Sequence, residues 1–245
     1  MLWLDQVLAV STIGILTEPS LTTAHENITA IRSVLESWVR SGSLSIEDRG
    51  PFSIAFDYNG FRFNIDHENI VAQFSYRHSV EKSSSSLPEL RYMRSLEPYS
   101  ALLNEEVDIL KQIVAAVIRG RSRAVRRVGI MANCKINAEK PPPGIDSFLQ
   151  HLGKPWNKPI KVVSTNLMAE VGASTAYHDR CHHHMDINLL DRPNSLDFRL
   201  DWQRLFEKSF PLQINEFDDQ LIEWRDSALA YFEKFGAGDL TYGSD

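Results

Sequence analysis

The chain has 245 residues, 43% of them hydrophobic and 24% charged, enough apolar surface for one large core or two joined halves. A net charge of −6 disfavours a generally basic nucleic-acid binder and leaves room only for a local basic patch. Two cysteines, Cys134 and Cys181, exclude a disulfide framework and point to a reducing compartment.

The apolar start "MLWLDQVLAVSTIGIL" is interrupted by Asp5 and has no positively charged lead, unlike a signal peptide. No apolar run reaches bilayer length, so a soluble cytoplasmic protein without a membrane partner is expected. Residues 5–16, rich in Val, Ile and Leu, predict a first strand. Ile28, Ile31, Leu35 and Trp38 recur at helical spacing ahead of a stop at Gly42. Three strands follow. "FSIAFDY" sets Phe52, Ile54, Phe56 and Tyr58 on one face, and Asn59-Gly60 predicts a hairpin. "FRFNID" alternates Phe61, Phe63 and Ile65 against Arg62, Asn64 and Asp66, and "NIVAQFSYRH" sets Ile70, Ala72, Phe74 and Tyr76 on one face. "EKSSSSLPE" reads as a polar loop. A helix over 98–119 carries Leu103, Val107, Leu110, Val114 and Val117.

The second half repeats the order. "RRVGIMANCKIN" is a strand with Val128, Ile130, Ala132, Cys134 and Ile136 on one face. "PPPG" breaks the chain, and a short helix spans 145–152. Strands follow in "IKVVSTNLMAEV", "AYHDRCHHHMDINLL" and "LDFRLDW". The last helix, 215–235, carries the stripe Phe217, Leu221, Trp224, Ala228, Tyr231 and Phe235. The order β-α-β-β-β-α therefore occurs twice, over 1–122 and 123–245, joined in one compact unit. The fold class is α+β: a two-layer sandwich with a mainly antiparallel sheet and helices on one face. The other face is polar and open. It carries Arg62, Asn64, Gln73, Arg77, Arg127, Asn133, Lys135, Asn137, Arg199 and Asp201, a natural recognition surface.

Strand alternation splits the triple histidine of "RCHHHMD". Cys181, His183, Met185 and Ile187 face the helices, whereas Arg180, His182, His184 and Asp186 face out. His182 and His184 have a spacing that can chelate one metal, with Asp186 or His178 as a third ligand; zinc or another divalent cation is the alternative to no cofactor. Arg180, a fixed positive charge on that face, opposes it, and no His-Glu-x-x-His or Cys-x-x-Cys spacing supports it. Cys181 beside histidine suggests a Cys/His nucleophile, but adjacent strand residues diverge and a thiol buried on the apolar side is inert.

Arg119, Arg121, Arg123, Arg126 and Arg127 form a basic segment between a helix and a strand. It is either a solvated linker or a contact for phosphates or an acidic protein. Trp156, between prolines, either plugs the core or anchors an interface. The acidic residues at 216–226 suit the start of a helix. No Gly-x-Ser-x-Gly elbow, Walker loop or dinucleotide fingerprint is present.

"VRRVGIMANCKIN" resembles the Arg-x-Gly-x-x-x-Asn strand that opens the second half of a sporadically distributed, functionally uncharacterised prokaryotic family of similar length. Arg127, Gly129 and Asn133 carry the match, and Ala132 stands where that family has an aromatic. "LDFRLDWQRLF…DDQLIEWRDSALAYFEKF" is similar to the same family's closing strand and helix. The resemblance implies no known activity. The duplicated pattern also resembles the saddle of TATA-binding-protein-like folds, whose open sheet face binds a partner; that is architectural analogy only.

The reading is thus a non-enzymatic binding or regulatory module of a larger prokaryotic system, working through its open sheet face and nearby loops. Its partner is a protein or a second copy, with nucleic acid a further candidate through 119–127. The competing reading is a metal-dependent hydrolase or nuclease centred on His182, His184 and Asp186.

Overall fold

In a computed structural model of the chain, the residues described are 2–7, 9–35, 45–58, 60–74, 76, 78–81, 89–92, 96–118, 124–137, 139–153, 164–174, 179–189, 195–211 and 214–239. The N-terminal segment makes a 3-10 turn over Trp3–Gln6, and strand β1 begins only at Ala9 and runs to Thr17. Helix α1, Ala24–Val34, follows. Its start is a capping box: the Thr23 hydroxyl accepts from the Glu26 amide at 3.3 Å, and the Glu26 carboxylate accepts from the Thr23 amide at 2.8 Å.

Strands β2 (Ser45–Asp48), β3 (Ile54–Tyr58), β4 (Phe61–Ile65) and β5 (Asn69–Phe74) come next. β2 is an addition to the expected pattern. The strand expected over "NIVAQFSYRH" is shorter: β5 ends at Phe74, Tyr76 lies beyond it, and His78 opens β6 (His78–Glu81), which pairs with β7 (Glu89–Tyr92) in a separate two-stranded sheet. The β3–β4 hairpin closes through Gly60 at φ +86°, a conformation that glycine adopts without strain. At the next turn, the Asp66 carboxylate accepts from the amides of Glu68 and Asn69 at 2.8 and 2.7 Å.

Helix α2 spans Tyr99–Ile118, strand β8 Ala124–Asn137 and helix α3 Pro143–Gly153. Strands β9 (Ser164–Ser174), β10 (Asp179–Leu189) and β11 (Ser195–Pro211) lead to helix α4, Ile214–Ala237. The large sheet has nine strands in the order β2-β3-β4-β5-β1-β8-β11-β10-β9, every pairing antiparallel. This is the expected α+β sandwich. Outward from the central β1–β8 pair, the order on one side is β1, β5, β4, β3, β2, and on the other β8, β11, β10, β9. In each direction the first strand of a chain half is followed by the later strands in reverse.

One face of this sheet forms the core. Ile13, Ile130, Phe63, Phe74, Leu200 and Trp202 are buried beneath the helices. The predicted stripes pack as expected: Leu103, Val107, Leu110, Val114 and Val117 on α2, and Phe217, Leu221, Trp224, Ala228, Tyr231 and Phe235 on α4, are all buried. Tyr99 on α2 meets Phe232 on α4 edge-on at 6.2 Å, and Phe198 of β11 packs on Phe235 at 5.6 Å. α3 and α4 approach so closely at Gly144 that a Cβ there would lie 1.8 Å from the Phe235 carbonyl oxygen. Phe52, assigned to the apolar face of β3, lies before that strand and is 38% exposed.

Candidate functional site

The face that the described helices leave open is built from the alternate residues of each strand, and the registers place them in rows running across the sheet from β4 to β9. One row joins Asn64, Val71, Gly14, Gly129, Gln203, His182 and Glu170 across β4 to β9. The next joins Arg62, Gln73, Thr12, Met131, Asp201, His184 and Met168. The expectation that His182, His184 and Asp186 share this face with Arg199 and Asp201, while Met185 and Ile187 are buried opposite, matches the geometry. His183 faces the helices and stacks on Tyr231 of α4 with centroids 3.9 Å apart. Burial pushes its pKa down to about 4, with further lowering by His184 and Lys234. Cys181 packs against the core but is only half-buried.

At the middle of the face two glycines sit opposite each other, Gly14 on β1 and Gly129 on β8. A Cβ added at Gly14 would meet nothing within 4 Å. The missing side chains leave a trough of about 190 Å³ lined by Thr12, Leu16, Val71, Met131, Arg127, Asp201 and Gln203, among others. The face is therefore not polar throughout: its centre is partly apolar, and Asp201, expected to be exposed, is 8% accessible and accepts from the Gln203 amide at 2.7 Å. Isolated glycines within a strand pattern signal close approach or missing packing. Gly14 and Gly129 carry that signal in the sequence, but only the β1–β8 register shows that they coincide.

Away from the trough, Arg62, Arg180, Arg199 and His182 each lie against a carboxylate. Arg62 bridges Asp57 at 3.0 Å and Glu47 at 2.9 Å. Arg180 lies 3.8 Å from both Glu170 and Glu207. Arg199 pairs with Asp186, which also accepts from the Asn166 amide. His182 Nε2 is 3.3 Å from Glu170. Asp186 is thus already engaged by a cation, and among the described residues no group of three or more His, Cys, Asp and Glu side chains gathers as a metal site. The His184 pKa is lowered, first by burial and then by His182, Arg199 and Arg127, against the raising effect of Asp201.

Arg126 and Arg127 differ from the other arginines. Between Thr17 and Leu16 of β1 the register skips a residue, so Arg126 is the extra residue of a bulge in β8. Both side chains are exposed, and neither has an ion-pair partner among the described residues. Lys135 is exposed across from Asp197 on the same face. Arg77, Arg121, Arg123, Trp156 and His178 lie outside the described residues.

On the core side, among the described residues, one acid is buried. Glu106 of α2 is fully inaccessible and is hydrogen-bonded to the Ser11 hydroxyl of β1. Burial pushes its pKa up to about 8, against the lowering effect of that bond. Glu106 is three residues after Leu103 and four before Leu110, so helical spacing puts it on the buried stripe, a signal the apolar reading of that stripe passed over.

No protein-family model matches the chain, and no curated protein matches it. Among solved structures, the chain is similar to the rolling circle replication initiator protein from Geobacillus stearothermophilus, at 7% sequence identity and a TM-score of 0.32. The alignment covers 89% of this chain and 78% of the other. No helix among the described residues is long and apolar enough to cross a membrane.

Proposed function

We propose that the chain is a non-enzymatic binding module, an interaction subunit of a larger prokaryotic assembly, that takes a protein partner on its helix-free sheet face. The observation that carries this reading is the composition of that face. Its centre is a partly apolar trough opened by Gly14 and Gly129, and its flanks are ion pairs closed within the sheet. Arginines already matched to carboxylates have little net field to offer a phosphate backbone. A balanced polar rim around a less polar centre is the usual anatomy of a protein interface.

The test is co-purification with chemical cross-linking from the source cells. Gly14→Phe projects a ring into the trough from a position where the added Cβ meets open space, and a cooperative melt checks that the fold is retained. The expected outcome is a partner captured by the native chain, lost with Gly14→Phe, and kept with Asp108→Lys on the exposed outer side of α2. Equal capture by both variants rejects the sheet face as the site.

The bulge at Arg126 supports a second reading, a nucleic-acid contact along 119–127. Affinity would then fall steeply with salt as counterions are released, and replacing Arg126 and Arg127 with Ala would flatten the slope. Absence of binding at low ionic strength removes it.

A further inference from the structure

We infer that strand β9 is a dimerisation edge, and that it pairs antiparallel with β9 of a second copy about a two-fold axis at Met168. Of the described strands of the large sheet, β2 and β9 are the outermost. β2 has four residues, two of them the acids Glu47 and Asp48. β9 has eleven, and 165–171 contains one charge, Glu170, and no proline. Short, charged edges resist strand addition, and long, weakly charged ones invite it.

Two adjacent residues of β9 are exposed although they point to opposite faces. Leu167 lies across from Met185 on the helix side and is 44% exposed, and Met168 lies across from His184 on the open side and is 59% exposed. A partner on one face of the sheet covers only one of them. A strand added at the edge covers both, because its own side chains alternate between the two faces.

The occupant is argued from self-complementarity. With Met168 opposite its symmetry mate, Asn166 falls opposite Glu170 of the second copy, Leu167 opposite Ala169, and Thr165 opposite Val171. Polar meets polar on the open face, and apolar or hydroxyl-bearing residues meet on the helix face. The two Glu170 carboxylates stay apart, at opposite ends of the pairing. This register needs seven regular residues, 165–171. The irregularity in β9 lies at Gly172, between the partners of Cys181 and Arg180, just beyond them. Closed two-fold pairing of identical edges also ends there and does not propagate into fibres.

The experiment uses the full chain in sedimentation or light-scattering measurements across micromolar concentrations. The native chain is expected to be a dimer whose melting temperature rises with concentration, and Met168→Lys, which sets two like charges face to face at the axis, a monomer that still melts cooperatively at a temperature independent of concentration. Register is read by cross-linking in a Cys181→Ser background. Met168→Cys should cross-link to itself, since directly opposed Cβ atoms lie within about 4.5–5.5 Å. Asn166→Cys should cross-link to Glu170→Cys in a mixture and not to itself. A monomeric native chain, a dimer that survives Met168→Lys, or self-cross-linking of Asn166→Cys in preference to the mixed pair overturns the proposal.

Discussion

Glu106 is the residue whose chemistry departs furthest from its surroundings. It lies among apolar neighbours of α2 and β1, with the Ser11 hydroxyl as its hydrogen-bonding partner and Tyr99 near enough for its phenol pKa to be raised, mainly by burial and then by Glu106. Its folded pKa, about 8, stands above the ordinary value of 4.5. A raised carboxyl favours the protonated folded state. Its contribution is therefore fully present below the ordinary value and is lost as pH climbs from 4.5 to about 8. Glu106→Gln keeps the shape and removes the titration. The expected outcome in urea melts at successive pH values is that the variant and the native chain differ little near pH 5. By pH 8 the variant is more stable by on the order of a few kcal/mol, at about 1.4 kcal/mol per pKa unit. A constant difference across that range would show that Glu106 does not titrate there. His183 acts in the opposite sense: its folded pKa near 4 is depressed, so stability is lost as pH falls from 6.5 to 4.

At the scale of the element, strand β10 concentrates the lesson of alternation. Met185 and Ile187 are 3% and 1% exposed and contribute on the order of 1.5–3 kcal/mol each by burial. His182 and His184, one residue out of phase, face the open side with ring centroids 5.9 Å apart. A slip of one residue would exchange the two sets and bury the polar ones without partners. Met185→Asp is expected to lower the melting temperature severely or abolish folding. His182→Ala gives up a contact with Glu170, an exposed partner, and should leave the melting temperature nearly unchanged. Zinc is the further variable. With Asp186 bound to Arg199 and Asn166, added zinc is expected to leave the native melt unmoved. A zinc-dependent rise that vanishes in His182→Ala/His184→Ala would favour the metal-centre reading.

At the scale of the molecule, the expected halves 1–122 and 123–245 meet at the centre of the sheet, with the strands of one on the β1 side and those of the other on the β8 side. The seam is the β1–β8 pairing, from Ala9 opposite Cys134 to Thr17 opposite Val125, reinforced by Tyr99 of α2 against Phe232 of α4. The Trp3 indole also reaches across to donate to the Phe232 carbonyl at 2.8 Å. The buried hydrophobic residues of both halves form one cluster. Each half alone would expose a central strand and one side of that cluster. Expressed separately, 1–122 and 123–245 should therefore melt without cooperativity, and together they should recover one cooperative transition by circular dichroism. A cooperative melt of either fragment by itself would mean that the halves are independent domains.

The sequence alone determined the α+β class, the helix stripes of α2 and α4, and the facing of each residue in β10. These follow from periods of 3.6 and 2, which are local properties of the chain. It also located the arginines and histidines of the open face. It missed β2 and β7, whose four residues each are too few to show a period, and the end of β5 at Phe74 within an alternating run. Tertiary structure alone decided what lies beside what. The pairing of Gly14 with Gly129, separated by more than a hundred positions, opens the trough. The neighbours of Arg62, Arg180 and Arg199 turn candidate phosphate contacts into closed ion pairs. β9 reads in the sequence like any other strand, and only its place at the end of the sheet leaves Leu167 and Met168 exposed. Periodicity tells a residue which way to face, but its partner is set by strand order and register, which depend on contacts distant in the chain.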